Sequence, residues 1–187
     1  TEKPDKPEEK TLAEKLGIQQ EAMDAFRSAV EALDKEKYDT SAVRQNLEKV
    51  VEMEPTFAEA HYNLGLLHAE LGQHKQSVDH FEEAHSLDPE ILEYTVALAQ
   101  AHAEADNFSQ AEQLFREVVA RQPNNLAAKN NMAVMALKQG NEDKAMQYVR
   151  DVLREENNNV NALNTLGLIY RNRGNYSLAE YAFQKGL

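Results

Sequence analysis

AEAHYNLGLLHAELGQHKQSVDHFEEAHSLDPEI, residues 58–91, runs directly into LEYTVALAQAHAEADNFSQAEQLFREVVARQPNN, residues 92–125. Laid one over the other, the two segments keep step. Leu64-Gly65 meets Leu98-Ala99, His68 meets His102, Ser77 meets Ala111, Phe81 meets Phe115 and Pro89 meets Pro123. The beat continues with Met132-Ala133, Ala136, Ala145 and Val149, then with Leu166-Gly167, Tyr170, Ala179 and Phe183. Pro55 lies one period before Pro89, and Asn157 one period after Pro123. A single Leu-Gly pair would carry no information. Five positions held in register at a 34-residue period over four units identify a stacked repeat.

Each landmark has a steric reason. Gly or Ala after Leu lets the first helix of a pair approach the second, and Ala111, Ala145 and Ala179 do the same from the second helix. Phe81, Phe115 and Phe183 are read as filling the space between repeats. Pro89 and Pro123 stop one helix and begin the next, because Pro lacks an N–H and fits a helix's first turn. Gly72, Gly140 and Gly174 fall at the turn inside each pair, where a positive φ is needed. No unit can bury its apolar face alone, so stacking is the fold.

This pattern resembles the tetratricopeptide repeat family, with its Leu-Gly, its Ala-x-x-x-Phe and its closing Pro at a 34-residue period. The resemblance implies an all-α fold: an α-solenoid of antiparallel helix pairs, about ten helices wound into a right-handed superhelix. Residues 58–91, 92–125 and 126–159 are predicted to be full repeats, and 160–187 a partial one. Residues 11–57 are read as an N-terminal helix, opened by a Thr11-x-x-Glu14 capping box, and a degenerate first repeat framed as 24–57. In that repeat Glu31 stands at the small-residue position and Tyr38 comes about two residues early. Its apolar stripe is nevertheless good, with Phe26, Val30 and Leu33, then Val43, Leu47, Val50 and Val51. Thr1–Lys10, rich in Pro, Glu and Lys, is expected to be a disordered linker. With no capping helix after them, Leu178, Tyr181 and Phe183 would be partly uncovered, so the natural chain is expected to continue beyond Leu187.

Composition agrees with a helical reading. The chain of 187 residues has no Trp and no Cys, seven Gly and five Pro. Without Cys there are no disulfides, thiolate metal sites or Cys nucleophiles. No apolar run is long enough to span a bilayer, which implies no direct membrane insertion by these residues. The formal charge of −12 argues against nucleic acid, whose phosphates demand a basic surface. That charge is unevenly spread. Residues 1–50 carry 12 acidic and 9 basic side chains, residues 51–123 carry 14 and 3, and residues 124–187 carry 6 and 8.

In tetratricopeptide arrays the first helix of each pair lines a concave groove. Matching the family's groove positions selects Glu59, Tyr62, Asn63, Leu66 and Glu70 in residues 58–91, and Glu93, Gln100 and Glu104 in residues 92–125. It selects Asn130, Asn131, Val134 and Lys138 in residues 126–159, and Asn161, Asn164, Leu168 and Arg171 after that. The glutamates form acidic rows in the second and third repeats. The later groove is rich in carboxamides, with Lys138 and Arg171 adding positive charge. Asn carries both a donor and an acceptor, so it can bind the backbone of an extended peptide without reading its sequence. The plain alternative is a solvated polar face. The family's carboxylate clamp, Lys and Asn at the fifth and ninth positions, is missing: those positions hold Tyr62/Leu66, Val96/Gln100, Asn130/Val134 and Asn164/Leu168.

Six histidines invite a metal reading, but no HExxH occurs, and His61, His68 and His102 read as packed rings with a satisfied N–H. Glu82-Glu83 and Glu155-Glu156 have no neighbouring base or nucleophile and read as solvated charge. The sequence therefore points to a non-enzymatic scaffold with no cofactor and no metal. Its partner is a protein or peptide, with a basic segment facing the second and third repeats; self-association stays open. Two alternatives are kept. One is the periplasmic body of a membrane-anchored lipoprotein that assembles a pilus or motility apparatus in the bacterial envelope, because the Pro/Lys/Glu-rich start resembles the spacer after a lipidated Cys. The other is the interaction domain of a larger enzyme. The compartment is not fixed by sequence; the spacer favours the periplasm, as an outer-membrane lipoprotein, over the cytoplasm.

Overall fold

The computed structural model describes residues 17–33 and 39–187. The expected linker Thr1–Lys10, the capping box at Thr11 and the early aromatic Tyr38 lie outside the described residues. Among the described residues, ten α-helices and no strand make up the fold: α1 (Gln20–Leu33), α2 (Thr40–Met53), α3 (Ala58–Glu70), α4 (His74–Leu87), α5 (Leu92–Glu104), α6 (Phe108–Arg121), α7 (Leu126–Lys138), α8 (Glu142–Glu155), α9 (Val160–Asn172) and α10 (Tyr176–Lys185). They pair as antiparallel hairpins, the α-solenoid arrangement. The first helices of the last four hairpins start at Ala58, Leu92, Leu126 and Val160, a constant 34-residue step. The chain divides into two compact units, Thr1–Leu87 and Asp88–Leu187.

One turn joins the helices within each of these hairpins, and it recurs without change. After α3 the N–H of Gly72 donates to the Ala69 carbonyl and that of Gln73 to the His68 carbonyl. After α5, α7 and α9 the same pair of bonds is made by Asp106 and Asn107, Gly140 and Asn141, and Gly174 and Asn175. This helix ending needs one residue at positive φ. Gly72, Gly140 and Gly174 supply it at 67°, 76° and 75°, and Asp106 adopts 59° where the fourth Gly would stand. The three glycines were legible in the sequence. Asp106 was not, because nothing in its type demands that conformation.

The prolines work differently from the sequence expectation. Pro55, Pro89 and Pro123 each lie three residues ahead of a helix start, in the connecting turn rather than in the first helical turn. Side chains begin several helices instead. Asp39 Oδ1 accepts from the N–H groups of Ser41 and Ala42, Asn125 Oδ1 from Ala128, Asn141 Oδ1 from Lys144 and Asn159 Oδ1 from Ala162. Each cap satisfies a donor left open by the helix geometry, to the extent of about 1 kcal/mol.

In the first unit, Ala22, Met23, Ala25, Val50, Phe57 and Ala60 form one core. Ala29, Val43, Leu47, Leu64 and Leu67 form a second. α1 starts at Gln20; within it Ala29 is fully buried and Glu31 is exposed. Gly65 has the close approach assigned to it: a Cβ there would lie 2.7 Å from the Phe81 ring. That contact is within the α3–α4 hairpin. Buried Ser77 is satisfied in the same hairpin, its hydroxyl donating to the Gly65 carbonyl at 3.0 Å.

In the second unit, Ala99, Ala111, Phe115, Val118, Ala128, Met132 and Met135 pack as one core across α5, α6 and α7. Phe115 does fill space between repeats, and its burial contributes roughly 1.5–3 kcal/mol. Ala133, Ala136, Ala145, Val149, Val152, Ala162 and Ile169 form the next core, across α7, α8 and α9. Gly167 admits the Phe183 ring as Gly65 admits Phe81. On α10, Leu178 and Tyr181 are exposed, and Phe183 is half-buried.

Candidate functional site

In the first unit the groove candidates lie along α3. Glu59, Leu66 and Glu70 are exposed, and Tyr62 and Asn63 half-buried. The Tyr62 ring packs 5.6 Å from that of Phe81. Asn63 Nδ2 donates to the Glu59 carbonyl at 2.7 Å, which spends one of its donors on its own helix.

Behind this face three histidines meet. His61 Nε2 donates to the Pro55 carbonyl at 3.0 Å. Its Nδ1 lies 3.3 Å from His80 Nδ1, one of the pair donating to the other. His68 stacks on His80 with ring centroids 5.2 Å apart, and its Nδ1 pairs with Gln73 Oε1 at 2.6 Å. Burial, with His68 and His61 alongside, lowers the His80 pKa to about 4 against a small opposing effect of Asp79. His102 is buried to the same degree as His68 and pairs through Nδ1 with Asn107. Among the described residues no three His, Asp or Glu side chains are grouped to hold a metal ion.

In the second unit the candidates line two recesses. One, of about 340 Å³, is walled by Gln100, Ala103, Glu104, Phe115, Asn131 and Met135. The other, of about 300 Å³, is walled by Ala127, Asn130, Asn131, Val134, Asn161, Asn164 and Thr165. Asn131 lines both, so the two are neighbouring recesses on the face carried by α5, α7 and α9. Glu93, Lys138 and Arg171 are exposed on the same three helices, and Leu168 is half-buried.

Asn130 is the most buried of the candidate asparagines. It is only 5 % exposed, and its Nδ2 donates to Asn159 Oδ1 at 2.9 Å. Its donor is thus committed inside the fold, whereas Asn164 and Asn161 are exposed. Thr165 Oγ1 donates to the Asn161 carbonyl.

Sequence reasoning also missed Glu112, a carboxylate only 4 % exposed on α6. It receives hydrogen bonds from Arg116, Tyr148 and Gln139 and an ion pair from Lys144. Burial alone would raise its pKa. The hydrogen bonds of Lys144 and Tyr148, the Lys144 charge and Gln139 outweigh burial and hold the carboxyl below its ordinary range.

Two tetratricopeptide repeat models match, one over residues 58–91 and one over residues 96–160, together more than half the chain. The chain belongs to the tetratricopeptide repeat family. Arrays of this family present extended concave surfaces for binding, so the coarse role of protein-interaction scaffold follows with the family. Among solved structures, MamA (residues 41 to the end) from Desulfovibrio magneticus RS-1 superposes with a TM-score of 0.79 at 15 % identity, covering 90 % of this chain and 94 % of that one. A second MamA crystal structure gives 0.77 at 18 % identity, covering 90 % and 91 %. YrrB, described as a TPR protein with an unusual peptide-binding site, gives 0.73 at 17 % identity, covering 95 % and 91 %. At these identities the likeness shows the shared fold. No curated protein matches the chain.

Proposed function

We propose that this tetratricopeptide repeat chain is a non-catalytic scaffold that holds an extended peptide segment of a protein partner along the groove of α5, α7 and α9. The observation that supports the reading is the pair of neighbouring recesses that share Asn131 as a wall. Carboxamides dominate one end of the groove, and Gln100 and Glu104 stand at the other. The bound segment sets basic residues against Glu93 and Glu104, and acidic or polar residues toward Lys138 and Arg171, which fixes its direction. The peptide-binding description of YrrB supports this choice of ligand class. Electrostatic complementarity of this kind tunes encounter and specificity, so binding weakens with salt without vanishing.

The test is selection from a displayed library of random short peptides on the full chain, followed by affinity measurement of the enriched peptides. Asn131→Ala/Asn164→Ala is expected to weaken them roughly tenfold or more, since two hydrogen bonds are lost. Glu104→Lys is expected to weaken those with basic residues. The surface control Glu82→Ala/Glu83→Ala leaves them unchanged. Equal affinity for the parent and both groove variants refutes the proposal.

A further inference from the structure

Asn130 is held in one orientation by a chain of hydrogen bonds. Its Nδ2 donates to Asn159 Oδ1, and that oxygen also accepts the Ala162 backbone N–H at 3.0 Å as the cap of α9. Asn159 Nδ2 in turn donates to Glu156 at 2.6 Å. Turning the Asn130 amide over would set oxygen against oxygen, so its Oδ1 can only be an acceptor. That Oδ1 is buried and has no hydrogen-bond partner. Folded proteins leave few buried polar atoms in this state, because an unsatisfied acceptor costs free energy. The residue lines the 300 Å³ recess between α7 and α9.

The rest of the lining says which donor fits. None of its side chains is charged. A carboxylate entering it would find no cation and would meet the Asn130 acceptor with like polarity. An ammonium would find no anion to balance it. A carboxamide has neither difficulty: its N–H groups can donate to Asn130 Oδ1 and Thr165 Oγ1, and its oxygen can accept from Asn131 or Asn164. Thr165 Oγ1 keeps its lone pairs, having given its proton to the Asn161 carbonyl. The recess is some tenfold larger than the ~30 Å³ occupied by one water, and a glutamine side chain fits it.

We infer that this recess is a socket for an uncharged amide donor, a Gln or Asn side chain of the bound segment. The inference rests on the groove reading above. The Asn130 oxygen is closed to solvent, so entry of the donor requires the rim side chains to part. The socket selects for Gln over Glu, which is nearly identical in shape, and over Met, which is similar in length.

The test uses the full chain and three pools of short random peptides, each with one fixed central residue: Gln, Glu or Met. The Gln pool is expected to bind the parent about tenfold more tightly than the other two. Asn130→Leu should erase that preference while leaving residual binding, its fold checked by thermal melting. Asn164→Leu alters the exposed rim and should reduce the preference without touching the buried Asn130, so the inference stays testable if Asn130→Leu does not fold. If all three pools bind the parent equally, while Asn131→Ala/Asn164→Ala still weakens them, the socket is wrong and the groove stands. If no pool binds, or the groove variant changes nothing, the groove reading fails and the socket with it.

Discussion

Replacing Glu112 by Gln keeps the volume and one acceptor oxygen and removes a buried charge. The cost can be worked from its partners. Arg116 and Lys144 have side chains 57 % and 34 % exposed, so both can return to water when the carboxylate goes, and their loss is small. Tyr148 (3.0 Å) donates to Oε1 and Gln139 (3.3 Å) to Oε2, so the amide keeps one of these bonds without its charge and loses the other. A hydrogen bond to a charged group contributes ~1.5–3 kcal/mol against ~1 for a neutral one, so Glu112→Gln is expected to destabilise by ~1–3 kcal/mol. Glu112→Ala, which takes both acceptor oxygens from Tyr148 and Gln139 and leaves a void in the cluster, should cost more, ~2–4 kcal/mol. Urea unfolding of the full chain followed by helical circular dichroism measures the difference.

The pH dependence gives an independent check. The folded-state pKa of Glu112 lies below its ordinary value. The carboxylate therefore contributes its full stabilisation above the unfolded Glu pKa of ~4.3, and loses it as pH falls through the lower folded value. The gap between parent and Glu112→Gln should be constant near neutrality and close only in acid. A double-mutant cycle with Lys144→Met should show coupling. Parent-like stability of Glu112→Gln, within ~0.5 kcal/mol at neutral pH, would refute the reasoning and make the cluster an ordinary surface network.

Three further outcomes are expected. Gly65→Leu and Ala111→Leu force a side chain against buried Phe81 or into a closed core and should each cost ~1–3 kcal/mol, read as a lowered Tm; unchanged melts would refute the assigned helix contacts. Asp106→Gly removes ~1–2 kcal/mol of left-handed backbone strain and loses ~0.4–1 through the freer unfolded chain, so a gain of up to ~1 kcal/mol is expected, and a loss would mean that the Asp side chain holds the turn. His80, whose folded pKa of about 4 lies below the unfolded 6.5, stabilises fully above pH 6.5 and loses that contribution as pH falls toward 4. Discounted for the ring's partial exposure the effect is ~1–2 kcal/mol, and His80→Phe should flatten that part of the stability-versus-pH curve.

The repeat was legible because every hairpin meets the same steric demand. Gly65 and Gly167 must admit Phe81 and Phe183, Ala111 and Ala145 must be small, and three of the four turns need Gly. Each demand leaves a residue type at a fixed spacing, and the family resemblance then selects the candidate groove helices. The same logic fails wherever one repeat differs from its neighbours. Asn130 and Asn131 are adjacent amides on one helix, and no periodicity separates the 5 % exposed one from the half-buried one. What separates them is Asn159, a cap on the following hairpin, and that contact exists only in three dimensions. Glu112 looks like any solvated helix charge until Gln139, Lys144 and Tyr148 close over it from beyond the next turn. Architecture therefore rests on what the repeats share. Selectivity for a ligand must rest on what they do not, because identical repeats would present the same chemistry at every step of the groove. The side chains that break the pattern, with an orphaned acceptor at Asn130 foremost, are where a partner's chemistry should be sought first.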